Sequence, residues 1–257
     1  MDSLFDLNGK VAIITGSTRG IGLAIAARMA QHGAKVAISS RKADACEQVA
    51  AKIRASGGTA LACAANISDR AALQTLVDKT FAEWKRIDIL VCNAAVNPYF
   101  GPLSGISDEA FDKIMASNVR SNLWLCNMAI PHMAKRTDGA VIIVSSIAGL
   151  KGNTALGAYG ISKAADFELA RNLAVEWGSS NVRVNALAPG IVRTDFARRL
   201  WEDPMIYAKA IVGYPLGRIG EPDDVAGAAI FLASKAGAFV TGQVIVVDGG
   251  ATISDVH

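Results

Sequence analysis

Short apolar runs alternate with amphipathic stretches along the whole chain. Val11–Ile14, Lys35–Ser40, Ala60–Ala64, Ile87–Cys92, Ala140–Val144, Val182–Leu187 and Val244–Val247 are brief and rich in branched residues. Runs of that length and composition predict buried strands of a parallel sheet, since both faces must be apolar. Between them the apolar period changes to that of a helix. Ile21, Ala24, Ile25 and Met29 precede a stop at Gly33; Cys46, Val49, Ala50 and Ile53 precede Gly57-Gly58; Leu73, Leu76, Val77, Thr80, Phe81 and Trp84 form a third stripe. Helices are also predicted over about 108–135, with a bend near Pro131, over about 159–177, and from Pro222 onward. Residues 191–220 break the rhythm and read as long and irregular, with Trp, Tyr, Met and Arg. Seven strands alternating with helices predict one α/β domain over 1–257, a doubly wound parallel sheet with helices on both faces.

The stretch Lys10–Gly33 carries the first chemistry. A strand runs into Gly16-Ser17-Thr18-Arg19-Gly20-Ile21-Gly22 and then into a helix. That order sets unpaired N–H groups and the positive helix end at the strand's carboxyl edge, a seat for a pyrophosphate. Gly16 permits the tight turn, Gly20 the close approach of phosphates and Gly22 close packing. The spacing G-x-x-x-G-x-G also suits an ordinary glycine turn, and the flanking strand and helix are what favour a nucleotide. In such sheets ligands sit at the carboxyl ends of strands, where Gly16, Ser40, Asn66, Asn93, Ser146 and Pro189 all fall.

Composition narrows the class. Of 257 residues 51% are hydrophobic and 19% charged, with net charge +3 and no basic block, which gives a core-forming chain without a nucleic-acid signature. Its apolar runs are far shorter than the ~20 residues of a membrane-spanning helix. The opening MDSLFDLNGK lacks the pattern of a signal peptide, and Cys46, Cys63, Cys92 and Cys126 are widely spaced. His32, His132 and His257 form no cluster, so no metal is expected, and the chain is expected to be cytoplasmic, with its thiols reduced.

Tyr159 and Lys163 stand at i and i+4 on one helix face. A cation there stabilises phenolate, lowering the tyrosine pKa from ~10 and suiting it to pass a proton to a carbonyl oxygen. Alone, Y-x-x-x-K equally describes a surface pair. In order along the chain, however, stand Thr15-Gly16-x-x-x-Gly20-x-Gly22, Asn93-Ala94-Ala95, Asn118, Ser146 thirteen residues before Tyr159, Lys163 and Pro189-Gly190. Together they resemble the short-chain dehydrogenase/reductase family over essentially the whole chain, and its Rossmann-like fold. The resemblance implies that Tyr159 is the general acid/base and that Ser146, rather than its rival Ser145, polarises the substrate carbonyl. Lys163 then holds the nicotinamide ribose, and Asn118 positions a relay water linking Lys163 to solvent. It also implies cofactor contacts from Asn66 and Ile67 to adenine, Asn93, Ala94 and Ala95 to the adenosine ribose, and Ile191 and Thr194 to the carboxamide. Ala95 replaces the family's usual glycine, and Asn66-Ile67 its usual Asp-Val.

The chain is similar more narrowly to NADP-dependent carbonyl reductases of the peroxisomal dehydrogenase/reductase type, through Ser39-Ser40-Arg41-Lys42, Asn93–Pro98 and Leu200-Trp201. Those animal enzymes end in a peroxisomal address, which Ser254-Asp255-Val256-His257 does not match. No acid follows the second strand, so NADP(H) is expected over NAD(H), with Arg41 and Arg19 meeting the 2′-phosphate from two sides; two solvated arginines are the alternative. The family resemblance further implies a homotetramer and a mobile lid over about 191–220. Val96, Tyr99, Ser146, Leu156, Tyr159 and Trp201 are expected to line an apolar substrate pocket for a medium-sized ketone or aldehyde with apolar or aromatic substituents, reduced to an alcohol. Arg193, Arg198 and Arg199 are either solvated lid residues or a site for an anionic acyl carrier. The alternatives to a carbonyl reductase are thus a 3-oxoacyl-(acyl carrier) reductase-like enzyme and a non-catalytic NADP(H)-binding regulator.

Overall fold

The computed structural model describes residues 4–255; Met1–Ser3 of the N-terminal reading, together with Val256 and His257, lie outside the described residues. Seven strands form one sheet: β1 (Val11–Thr15), β2 (Lys35–Ser39), β3 (Thr59–Ala62), β4 (Ile89–Cys92), β5 (Gly139–Val144), β6 (Val182–Pro189) and β7 (Val244–Val247). Their spatial order is β3-β2-β1-β4-β5-β6-β7, every pair parallel. The order reverses direction between β1 and β4, which opens a crevice at their carboxyl ends.

The two faces of the sheet follow from alternation along each strand. Ile14, Val36, Ile38, Val91 and Ile142 point to one layer, with Ile25 and Met29 of α1 (Gly20–Gln31), Val49 and Ile53 of α2 (Ala43–Ala55), and Val225 and Ile230 of α8 (Pro222–Ala233). Ile13, Leu90, Ile143 and Val184 point the other way, against Leu76 of α3 (Arg70–Trp84), Leu125 and Ile130 of α5 (Ser121–Ala134), and Phe167 and Leu173 of α6 (Gly157–Trp177). Asp88 joins three strands at the opposite edge. It is buried, accepts from Val11 N through Oδ2 at 2.8 Å, accepts from Ala140 N through its carbonyl at 2.9 Å, and holds Arg86 in a two-pronged pair.

Two sequence expectations are corrected. The helical region 108–135 is interrupted not at Pro131, which lies inside α5, but between α4 (Asp108–Met115) and α5, where Ala116–Arg120 forms a π-helical turn. Carbonyls loosened in that turn find side-chain donors: Ser121 Oγ donates to Ser117 O at 2.7 Å and Asn122 Nδ2 to Asn118 O at 2.6 Å. The segment after β6 is not wholly irregular either. It holds a 3-10 stretch, Asp195–Leu200, and α7 (Pro204–Ile211), started by Pro204 and by Asp203 accepting from Met205 N and Ile206 N. Among the described residues no helix is long and apolar enough to cross a membrane.

Candidate active site

At the β1/β4 crevice lies an open cavity of about 910 Å³. Its floor is the glycine turn. Gly16 adopts φ +65°, a left-handed conformation that favours glycine. A Cβ on Gly22 would meet Gly16 O at 2.4 Å and Asn93 Nδ2 at 2.5 Å, so this glycine permits the turn and Asn93 to close on α1. Asn93 Nδ2 donates to Thr15 O at 2.9 Å, while Thr15 Oγ1 accepts from Asn93 N and Ala94 N at 3.0 and 3.1 Å. These bonds bind the ends of β1 and β4 together where the crevice would otherwise splay.

Most of the expected cofactor residues line this cavity: Gly16, Thr18, Arg19, Gly20, Ile21, Ser40, Arg41, Asn66, Ile67, Asn93, Ala94, Ala95, Tyr159, Lys163 and Thr194. Two features suit them to a dinucleotide. Helices α3, α4 and α7 begin with a side chain accepting their first N–H groups, whereas α1 and α2, which start at the cavity, have no side-chain cap. Their donors remain available to phosphate oxygens. At the β2 end, Arg41 and Lys42 line the cavity with no acid beside them, and Arg41 makes no ion pair among the described residues. Arg19 differs from expectation, because its guanidinium reaches Asp195 at 3.4 Å instead of standing free.

Other expected cofactor residues serve the scaffold. The Ser17 side chain is buried, donating to Ile14 O and accepting from Ser39 N, each at 2.8 Å. Pro189 ends β6, and Gly190 N donates to Val247 O. The backbone of Ile191 is doubly engaged: its N–H donates to Tyr214 Oη at 2.8 Å and its carbonyl accepts from Gly220 N at 2.9 Å.

The four expected catalytic residues converge near the nicotinamide end. Lys163 Nζ stands 5.7 Å from the Tyr159 ring centroid and donates to Val144 O at 3.0 Å. Ser146 Oγ accepts from Ala148 N at 3.1 Å, which orients it. Ser145 is occupied elsewhere, its hydroxyl donating to Lys163 O at 2.7 Å. Asn118, on the π-turn, is buried; its amide exchanges two hydrogen bonds with the Val96 backbone and donates to Ser162 Oγ at 3.1 Å.

The electrostatics correct one expectation. Burial pushes the Tyr159 phenol above the ordinary tyrosine range; Lys163 pulls it down as the spacing implied, yet Asp166 pushes it up again and the net direction is upward. Asp166 is the residue that sequence reasoning missed. It is fully buried, accepts from Lys163 Nζ through Oδ2 at 3.0 Å and from Asn122 Nδ2 through Oδ1 at 3.0 Å. An acid three residues after Lys163 on the same helix, inside Ala164-Ala165-Asp166-Phe167, was the available signal.

On the substrate side, Val96 and Phe196 line the cavity, and the Phe196 ring centroid lies 6.1 Å from that of Tyr159. The Tyr99 hydroxyl is turned to Pro102 O at 2.8 Å, and Leu156 bridges Gly101 at the start of α6. Trp201 is not brought to the cleft: its indole donates to Thr194 O, Arg193 stacks over it at 5.3 Å, and it lines a separate outer hollow. Cys46, Cys63, Cys92 and Cys126 are buried free thiols.

A family model described as enoyl-(acyl carrier protein) reductase matches residues 16–252. Dehydrogenase/reductase SDR family member 4 of Bos taurus is 42% identical over 245 residues, covering 95% of this chain and 88% of the relative. A 7α-hydroxysteroid dehydrogenase solved with NADH and 7-oxo glycochenodeoxycholic acid superposes with a TM-score of 0.93 at 36% identity, over 97% of this chain and 98% of the other. A 3-oxoacyl (acyl-carrier-protein) reductase of Agrobacterium tumefaciens with NADP bound gives 0.90 at 36%, over 96% of each.

Proposed function

Because the chain belongs to the short-chain dehydrogenase/reductase family, as an oxidoreductase that binds a nicotinamide cofactor, we propose that it uses NADP(H) to reduce apolar or aromatic ketones and aldehydes to alcohols. The observation that carries this reading is Arg41 at the end of β2, which lines the cavity beside Lys42 and makes no ion pair among the described residues, leaving its guanidinium available to a 2′-phosphate.

The nicotinamide, when bound, supplies or accepts the hydride. Tyr159 Oη gives its proton to the carbonyl oxygen; a phenol held in its protonated form by burial is the acid that reduction needs. Ser146 Oγ, whose lone pair is engaged by Ala148 N, is left with its proton to donate to the same oxygen. Lys163 binds the ribose and keeps a positive charge near the phenol. Asn118 pins the Val96 loop beside the catalytic groups.

The apolar substrate class is supported by Val96 and Phe196 at the cleft and by the state of the lid arginines. Arg193 pairs with Glu221 at 2.9 Å and Arg198 with Asp195 at 2.6 Å, which leaves Arg199 as the one of the three lid arginines without an ion pair among the described residues and only a single unpaired cation for an anionic carrier. Phe196 takes the wall position expected of Trp201. We read residues 191–220 as the substrate lid and the protein as a homotetramer. The exposed apolar side chains of Phe239, Val246, Val175 and Leu123 support the assembly. The test is oxidation of NADPH and of NADH with aryl ketones, diketones and an acyl-carrier-linked 3-oxoacyl substrate. Faster turnover of the acyl-carrier substrate would favour the acyl reductase that the family model describes, and no turnover of any would favour a binding regulator.

A further inference from the structure

Lys163 and Asp166 form an ion pair that is almost wholly withdrawn from solvent, with side chains 2% and 0% exposed. A buried pair does not arise for stability alone, because desolvation of two charges consumes most of the attraction between them. Its geometry is also specific. Lys163 Nζ has three donors; one goes to Val144 O, one to Asp166 Oδ2, and the third is left for the cleft that Lys163 lines. The other carboxylate oxygen accepts from Asn122 Nδ2, and Asn122 Nδ2 donates in turn to Asn118 O. The lysine is therefore joined to the Asn118 carbonyl through protein atoms, by way of Asp166 and Asn122.

We propose that Asp166 is a positioning residue for the reaction: its buried carboxylate fixes Lys163 as a cation aimed at the cleft and, through Asn122, ties it to the π-helical turn bearing Asn118. This deepens, and rests on, the cofactor-dependent reading of the site above. The titratable groups facing the pair are Tyr159 on α6, Cys92 on β4 and Cys126 on α5. Burial acts to drive the Lys163 ammonium down, and Asp166, with smaller help from Tyr159, reverses that. The neighbouring Cys126 and burial hold the Cys92 thiol well above its ordinary range, so Cys92 supplies no substitute charge near neutrality. Without Asp166 desolvation is opposed only by the smaller influences of Tyr159 and Cys92, and Lys163 gives up its proton more readily as pH rises.

The test is NADPH binding, read by nucleotide fluorescence between about pH 7 and pH 9.5, for wild type and Asp166→Asn. The wild type is expected to hold NADPH with little change over that range. Asp166→Asn is expected to match it near pH 7 within a few-fold and to weaken by about tenfold as pH rises, the signature of an uncompensated buried lysine. A merely structural role would shift affinity equally at every pH. An Asp166→Asn profile parallel to wild type, with kcat within about twofold, overturns the proposal. If Asp166→Asn does not fold, Asp166→Leu is compared with the Asp166→Leu/Lys163→Met double variant. A folded double beside an unfolded single shows that the carboxylate exists to compensate Lys163, whereas failure of both makes Asp166 a packing residue and overturns the proposal. Should wild type bind NADH and not NADPH, the cofactor reading fails by itself, and the same titration is read with NADH.

Discussion

Replacing Arg41 by alanine tests the cofactor reading quantitatively. Arg41 has no carboxylate partner to surrender, so its contact with a 2′-phosphate is a gain without a competing loss. A hydrogen bond between charged groups contributes about 1.5–3 kcal/mol, and each 1.4 kcal/mol is about tenfold. Arg41→Ala should thus lower kcat/KM for NADPH by about 10- to 150-fold and leave the NADH value nearly unchanged. Arg19 is engaged with Asp195 at 3.4 Å, with side chains 69% and 46% exposed. Such a surface pair is worth about 0–1 kcal/mol, and reaching the phosphate from it forfeits that amount. Arg19→Ala is therefore expected to cost several-fold less than Arg41→Ala. The assay is steady-state kinetics with both nucleotides and one ketone, at low ionic strength because both arginines are exposed. An unchanged NADPH/NADH ratio in Arg41→Ala, or a larger loss in Arg19→Ala, would refute the reasoning.

Tyr159→Phe should lower kcat by about 10²–10⁴ while NADPH affinity by fluorescence stays within about twofold, since only the transferring proton is lost. The pH–rate profile follows from the raised phenol: Tyr159 stays protonated through neutral pH, so ketone reduction holds a plateau there and declines only in the alkaline range. The reverse oxidation needs phenolate and should rise with pH; a reduction rate that climbs with pH would contradict the assignment. Asp88→Ala leaves the buried Val11 N–H without an acceptor and should cost about 1–3 kcal/mol in urea unfolding, with the cofactor site otherwise intact. Light scattering at micromolar concentration should return a tetramer, and Phe239→Asp should shift it toward smaller species.

The parts of the molecule that were legible in the sequence are those written in contiguous residues. Val11–Thr15 and its neighbouring strands announce themselves by apolar runs, and the glycine turn by its spacing read together with the strand before it and the helix after it. The π-turn at Ala116–Arg120 has no such signature, because one extra residue in a helical turn scarcely alters the apolar period. Trp201 was drawn toward the substrate by its chemistry, but a hydrogen bond to Thr194 O and the Arg193 stack hold it outside. Asp166 was hidden for a different reason: an acid between alanine and phenylalanine reads as a surface position until the fold shows Asn122 and Lys163 closing over it.

The all-parallel order of the sheet bears on how this chain is made. The bonds joining β1 to β4 and its flanks span 76 to 79 residues of sequence, and no local hairpin can stand in for them. Residues through Ala95 nevertheless leave the ribosome before Lys163, by roughly 3–14 s at ordinary elongation rates. The glycine turn, Arg41 and Asn93 can therefore come together while the proton-transfer groups are still unsynthesised. During that interval β4 has β1 on one side and nothing on the other, an apolar edge exposed until Gly139–Val144 arrives. Nascent-chain aggregation should accordingly concentrate in this window, and truncations ending between β4 and β5 should be the least manageable fragments of the protein.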